Sequence, residues 1–191
     1  MWRFVLEPIV LSGRAVAFPT YYGTFERNDG RRSFWPERSA SYKEWRIRQV
    51  KDAQRTIDYL ETRDDIDMER LGYYGTSWGA STAPLILALE SRFKTALLAY
   101  GGLTPAEFPA KVDPLNFAPR VSVPVLMING DDDFIFPLET SQQPLFDLLG
   151  TAEEHKRFDR YAGAGHAVLL TYPRQVTQSI LDWLDRYLGR P

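Results

Sequence analysis

Two kinds of apolar pattern alternate along the chain. Short runs at Arg14–Pro19, Leu71–Tyr74, Thr95–Tyr100, Val123–Ile128 and His155–Tyr161 have the length of strands. Val123–Ile128, closed by Asn129 and Gly130, is the clearest buried strand among them. Between these runs, apolar residues recur every three or four positions. Val50, Ala53, Ile57 and Leu60 predict an amphipathic helix ending near Thr62, opened by a capping box of Ser41 with Glu44. The Ala/Leu-rich stretch Ala80–Leu89 predicts a helix over Trp78–Glu90, with Pro84 as a kink or a late start. Leu138–Leu149 reads as partly helical, interrupted by Pro144, with Gly150 as its C-cap. Val176, Ile180, Trp183, Leu184 and Tyr187 form the apolar face of a last helix that Pro173 opens and Gly189 ends. Residues 28–40 hold Gly30, Pro36 and three arginines, and residues 103–122 hold four prolines. Both read as loops, the second as a cap over the domain. Strands alternating with helices predict an α/β fold, a mostly parallel sheet with helices on both faces. No repeat, low-complexity tract or linker divides the chain, so residues 1–191 read as one domain.

One turn in this pattern carries chemistry. Gly75-Thr76-Ser77-Trp78-Gly79 lies between the run Leu71–Tyr74 and the helix after it, which is the strand–turn–helix context of a nucleophile elbow. The serine must adopt a strained backbone so that its Oγ stands clear of the sheet. Gly75 and Gly79 omit the Cβ atoms expected to collide where strand folds against helix. The free N–H groups at the helix start then face the reacting centre, and the Trp78 N–H can support an oxyanion.

Composition narrows the partners. The 191 residues are 44% hydrophobic, enough for a real core. A net charge of −2 argues against nucleic acid or an anionic membrane, which would want a basic surface. With no cysteine, disulfides, thiolate metal sites and cysteine catalysis are excluded. Met1, Trp2 and Arg3 lead into a segment with Glu7 and Pro8 rather than an apolar signal-peptide core. No run approaches the roughly 18 apolar residues of a membrane span. The expectation is a soluble, cytoplasmic protein. Asp64, Asp65 and Asp67 before Arg70 read as a capped turn rather than a metal site.

A serine hydroxyl needs a base, and the base needs a third group to fix its tautomer. The chain has two histidines. His155 sits in the charged run Glu153–Arg157 and reads as a solvated surface residue. His166 ends the small-residue loop Gly163-Ala-Gly-His, where an imidazole can reach another loop. The acid is expected in Asp131-Asp132-Asp133, just past the strongest strand, where carboxylates of parallel sheets gather. A calcium loop would need alternating ligands and a distal glutamate that are absent. The order Ser77, Asp, His166 matches that of α/β-hydrolases.

These motifs resemble the dienelactone-hydrolase and prolyl-oligopeptidase-like group of α/β-hydrolases. Gly130, Asp133 and Pro137 resemble the group's G-x-x-D-x-x-x-P acid loop, which selects Asp133; Gly163, Gly165 and His166 resemble its G-x-G-H histidine loop. Ser12-Gly-Arg-Ala-Val through Gly23-Thr-Phe-Glu-Arg27, Asp58-Tyr-Leu-Glu-Thr-Arg63 and Phe146-Asp-Leu-Leu-Gly-Thr151 are similar to C-terminal hydrolase modules of some large bacterial serine/threonine kinase proteins. By this resemblance Arg14–Pro19 is the family's fourth strand and residues 1–12 the tail of the helix before it. The third strand, which would lie between the fourth and the elbow strand, is then missing, and with it the loop that gives the second oxyanion donor. The resemblance implies the C-terminal part of a longer protein, lacking the N-terminal strands and with further domains upstream; closure of the sheet by a rearranged neighbour is the alternative.

The implied activity is ester hydrolysis by acyl transfer through Ser77, His166 and Asp133, with Trp78 at the oxyanion. The partner is a small-molecule ester, with no metal or organic cofactor. Tyr21 and Tyr22 can offer a hydroxyl near the pocket, although simple packing is the plainer role. Tyr100, with Gly101 and Gly102, borders the expected acyl site. The alternatives are a peptidase, and a non-catalytic interaction or sensory module that keeps the fold. The oligomeric state is open, and an uncovered strand edge would encourage pairing.

Overall fold

Four of the five expected strands form, and they lie side by side in chain order. The structure, a computed structural model, describes residues 2–31 and 33–191, with side chains from Val5 onward. Met1 and Arg32, one of the three loop arginines, lie outside the described residues. Strands β1 (Gly72–Thr76), β2 (Thr95–Ala99), β3 (Val125–Gly130) and β4 (Lys156–Tyr161) pair in parallel in the order β1-β2-β3-β4. Every residue of β2 and β3 is buried, as central strands covered on both faces require. The edge strands β1 and β4 are mostly half-buried and their sequences are correspondingly more polar.

Helices cover both faces. Helix α2 (Ala40–Leu60), helix α3 (Trp78–Leu87) and the short turns of residues 110–120 pack on one side. The other side is covered by α1 (Trp2–Leu11), the single turn α5 (Val168–Thr171) and α6 (Pro173–Leu188). Between them in sequence, α4 (Gln143–Leu148) follows a wide π turn at Leu138–Gln142 and joins the first side. The expected stripe of α6 faces the sheet. Val176, Ile180, Trp183 and Leu184 are buried, and an aliphatic side chain so buried contributes about 1.5–3 kcal/mol relative to exposure. Trp183 Nε1 also donates to Thr95 Oγ1 at 2.8 Å, so its polar atom is paired.

The differences from the sequence reading have local causes. Ser39, not Ser41, caps α2: it is extended (φ −116°) and its Oγ accepts the Tyr42 N–H at 3.0 Å. β3 starts at Val125 because Pro124 has no N–H, although its carbonyl still accepts from Ala96 at 2.8 Å. Asp67 does cap a single turn, accepting from the Glu69 N–H.

The expected strand Arg14–Pro19 is not one. Among the described residues no strand pairs with it; Arg14 pairs instead with Asp185 at 2.5 Å and donates to the Gly189 carbonyl at 2.9 Å. As the resemblance implies, no strand lies between this segment and β1 among the described residues, which leaves β1 at an edge. The Ser77 N–H donates to the Ala99 carbonyl and the Leu71 carbonyl accepts from Lys94. Odd-numbered residues of β1 therefore face β2, and Gly72, Tyr74 and Thr76 direct their N–H and C=O groups away from the sheet.

Candidate active site

The elbow forms where β1 gives way to α3. Ser77 has φ +50° and ψ −112°, a strained position for a residue with a side chain. Gly75 makes the fold possible: a Cβ there would meet the Gly79 backbone at 2.6 Å. The expectation for Gly79 is corrected, since a Cβ at that position would meet only Tyr73 Oη at 3.9 Å. Ser77 is the N-cap residue of α3, so the Trp78 N–H is the first of the helix donors with no acceptor inside the helix.

His166 comes to Ser77 from the loop after β4. Ser77 Oγ lies 2.8 Å from Nε2, and Nδ1 lies 2.8 Å from Asp133 Oδ2. Of the three consecutive aspartates, Asp133 turns inward and is 2% exposed; Asp132 is exposed and Asp131 half-buried near Arg160. The second oxygen of Asp133 accepts the N–H groups of Ile135 at 2.8 Å and Phe136 at 3.1 Å. A carboxylate held this way accepts the Nδ1–H, which leaves Nε2 free to receive the serine proton.

The two loops are tied to each other by backbone. The Asp131 N–H donates to the Tyr161 carbonyl and the Asp132 N–H to the Ala164 carbonyl. Gly130 allows this approach, because a Cβ there would meet the Ala164 oxygen at 2.1 Å. Gln142, fully buried, donates from Nε2 to the carbonyls of Gly130 (2.9 Å) and Phe136 (2.7 Å) and pins the acid loop from behind. The imidazole is flanked by Phe136 at 5.8 Å and Tyr100 at 6.1 Å between ring centroids.

The tyrosines expected at the substrate divide. Tyr100, at φ +55° and buried, supports His166 edge-on. Burial raises the pKa of Tyr21, whose polar neighbours are Arg46 and Asp52. Tyr22 is drawn to the flank of α2: its N–H donates to Asp52 at 2.6 Å, its carbonyl accepts from Trp45 Nε1 at 3.0 Å, and Arg48 covers its ring at 4.5 Å. His155 is exposed as expected, 3.2 Å from Tyr187 Oη.

One residue beside the elbow escaped the sequence reading. Arg46 is 3% exposed, and its guanidinium lies 6.0 Å from the Trp78 ring and 5.6 Å from that of Trp45. Its Nη1 donates to Gln49 Oε1, while Nε has no acceptor. Burial pulls its pKa down; the phenols of Tyr42, Tyr73 and Tyr21 oppose this. Burial likewise pushes Tyr42 up to about 12. The signal was present: Tyr42, Trp45, Arg46, Gln49, Val50, Ala53 and Ile57 form the buried stripe of α2, and a charge at its fourth-residue spacing is unusual. Two surface hollows lie away from Ser77, one of about 620 Å³ between β4 and α6 and one of about 440 Å³ in the loop 29–37. In the first, Arg157 is already paired with Asp159 at 2.9 Å.

A parallel sheet with a serine at its strand–helix elbow, and acid and histidine on later strand-end loops, defines the α/β-hydrolase fold. The particular family follows from comparison: the profile of the dienelactone hydrolase family matches residues 6–184, and the chain belongs to that family. It is 31% identical over 129 residues to the uncharacterized protein Rv2307c of Mycobacterium tuberculosis, a match covering 60% of this chain and 44% of that one. It is 26% identical over 167 residues to YuxL of Bacillus subtilis, named an uncharacterized peptidase, covering 72% of this chain and 25% of that one. The chain thus spans less than half the length of these curated relatives. A cold-adapted esterase from an Arctic intertidal metagenomic library superposes with a TM-score of 0.61 at 24% identity, over 78% of this chain and 65% of that one. That likeness establishes the fold.

Proposed function

We propose that the chain is a serine hydrolase that cleaves small carboxylic esters by acyl transfer. The supporting observation is the relay from Ser77 Oγ through both imidazole nitrogens to Asp133, 2.8 Å at each step. His166 Nε2 takes the hydroxyl proton as Oγ bonds to the carbonyl carbon, and the carbonyl electron pair moves onto oxygen. The Trp78 N–H and the start of α3 stabilise that oxyanion. Collapse of the tetrahedral species breaks the bond to the alcohol oxygen, which leaves with the proton from His166. Water then repeats the sequence on the acyl-enzyme and releases the acid. Asp133 stays ionised throughout and holds the imidazole in its tautomer. None of these steps draws on a metal or an organic cofactor.

The test is the intact mass after exposure to a fluorophosphonate, with Ser77→Ala and His166→Ala as controls. A single adduct on the wild type that both substitutions abolish is expected. A folded protein that takes no adduct would remove the hydrolase reading. A second reading, an interaction module that keeps the fold without turnover, is favoured by the outward-facing backbone of β1, and that same null result would support it. An amide-cleaving variant is separated by comparing a 4-nitroanilide with the matching 4-nitrophenyl ester. With one oxyanion donor on the first turn of α3, the ester is expected to be the faster substrate.

A further inference from the structure

Among the described residues, three with side chains hold a left-handed φ: Phe25, Ser77 and Tyr100. Phe25 lies exposed in a surface turn. The other two are neighbours. Thr76 pairs with Ala99 at the ends of β1 and β2, Ser77 and Tyr100 come next, and the Ser77 N–H donates to the Ala99 carbonyl at 2.8 Å. For Ser77 the strain lifts the nucleophile off the sheet. Tyr100 carries no nucleophile, and a glycine would hold its φ of +55° at no steric cost. A side chain persists in that region only where its surroundings over-determine it.

Here they do. The Tyr100 N–H donates to the Ile128 carbonyl at 2.8 Å, and Asn129 Nδ2 donates to the Gly101 carbonyl at 2.9 Å. A Cβ at Gly101 would strike Ala80 of α3, and one at Gly102 would strike Ser141 of the π turn. The end of β2 is thus wedged between the elbow helix, β3 and the turn that follows the acid loop. Held there, the Tyr100 ring stands 6.1 Å from the imidazole of His166, at 71° to it. Burial raises the Tyr100 pKa, and the side chain acting on its hydroxyl is Tyr74, close by but outside hydrogen-bonding geometry. Both imidazole nitrogens are already taken, by Ser77 and Asp133. What Tyr100 offers His166 is therefore its ring.

The two hydrogen bonds of His166 run along one line, from Asp133 through the imidazole to Ser77. Such bonds fix the ends of the ring and leave its tilt free. Tyr100 opposes that tilt together with Phe136, which lies 5.8 Å away at 31° and is itself tied to Asp133 through its N–H. The need is greatest after acylation. Ser77 Oγ is then an ester oxygen with no proton to share, and Asp133 alone bonds the imidazole that must activate water.

We infer that Tyr100 is a positioning residue, whose ring, fixed by the strained end of β2, holds the tilt of His166 through the reaction and above all through deacylation. The inference rests on the proposed roles of Ser77 and His166. The ring acts, and the hydroxyl is dispensable.

The test compares Tyr100→Leu, Tyr100→Phe and Tyr100→Gly with the wild type in two readouts. One is turnover of 4-nitrophenyl acetate; the other is the proton NMR signal of His166 Nδ1–H, identified by its loss in His166→Ala. In Tyr100→Leu, kcat should fall roughly ten- to a hundredfold, the scale of a misplaced catalytic group. KM should stay level or fall, because slow deacylation lets the acyl-enzyme accumulate. Tyr100→Phe should recover most of kcat. The Nδ1–H signal should stay sharp in Tyr100→Phe and broaden or vanish in Tyr100→Leu, as the ring rocks away from Asp133. Full kcat in Tyr100→Leu would overturn the inference. A raised KM with kcat kept would make Tyr100 a wall of the substrate site, and equal losses in the Phe and Leu variants would give the role to the hydroxyl; either overturns it. So does an Nδ1–H signal unchanged in Tyr100→Leu, which would assign any loss of rate to general packing. Should Tyr100→Leu not fold, Tyr100→Gly carries the same comparison, since glycine meets the backbone without strain. If the wild type neither turns over esters nor takes a fluorophosphonate, the hydrolase reading fails by itself, and the Nδ1–H signal still decides whether Tyr100 holds the imidazole.

Discussion

Toward β3 and β4, the loops that approach Ser77 are bonded to each other residue by residue. Asp133 spends one oxygen on two backbone N–H groups and the other on His166, and Gln142 and Gly130 hold the loop beneath it. Toward β1 the surroundings differ. Gly72, Tyr74 and Thr76 turn their backbone groups outward, and Arg46, Trp78 and Tyr42 keep donors without acceptors. In the proposed reaction the first side handles the proton, and the Trp78 N–H at the start of α3 supports the oxyanion. A proton relay can be completed by a fold alone, because its partners are side chains and backbone.

The sharpest way to break this contrast is Asp133→Asn. The amide keeps the shape but favours the wrong imidazole tautomer, and kcat should fall by about 10⁴ with the fold retained. Activity within tenfold of the wild type would show that the relay is not what drives the reaction. Next in size is a contrast in hydrogen exchange. The amides of Tyr73, Gly75 and Ser77 should be protected through β2, while those of Gly72, Tyr74 and Thr76 should exchange near the rate of an open chain. Uniform protection along β1 would mean that its edge is covered. Gly130→Ala should be smaller, about 1–3 kcal/mol of stability from forced overpacking against the Ala164 carbonyl. Activity should fall with it, since the histidine loop must move, and a denaturant titration alongside ester turnover reads both. Smallest is Ser39→Ala, about 1 kcal/mol from the lost cap of α2.

Much of the first side was legible in the chain. Gly75 through Gly79, Asp133 and His166 occupy turns bounded by strong periodic signals, and local geometry dictates where such turns point. The apolar run before Asn129 announces a central strand whatever its neighbours are. The stripe of α6 likewise follows from a spacing of three and four residues. Where the reading failed, the cause was a partner distant in sequence. Arg14–Pro19 has the composition of a strand, but a ladder needs a neighbour, and its arginine found Asp185 instead. Gly79 looked sterically required by its motif, yet the crowding falls on Gly75.

By itself, then, the sequence determined the elements, the elbow and the chemical types of the proton relay, because those depend on short-range sterics and periodicity. The acid-loop resemblance of Gly130, Asp133 and Pro137 had already selected Asp133, and the tertiary structure decided the contact itself, 2.8 Å from His166, between loops joined through β4. It alone decided that Tyr22 turns to α2 while Tyr100 supports the imidazole. It alone placed a charged guanidinium, 46 in the chain, against the indole of residue 78, since burial and the absence of a counter-charge are properties of a packed neighbourhood.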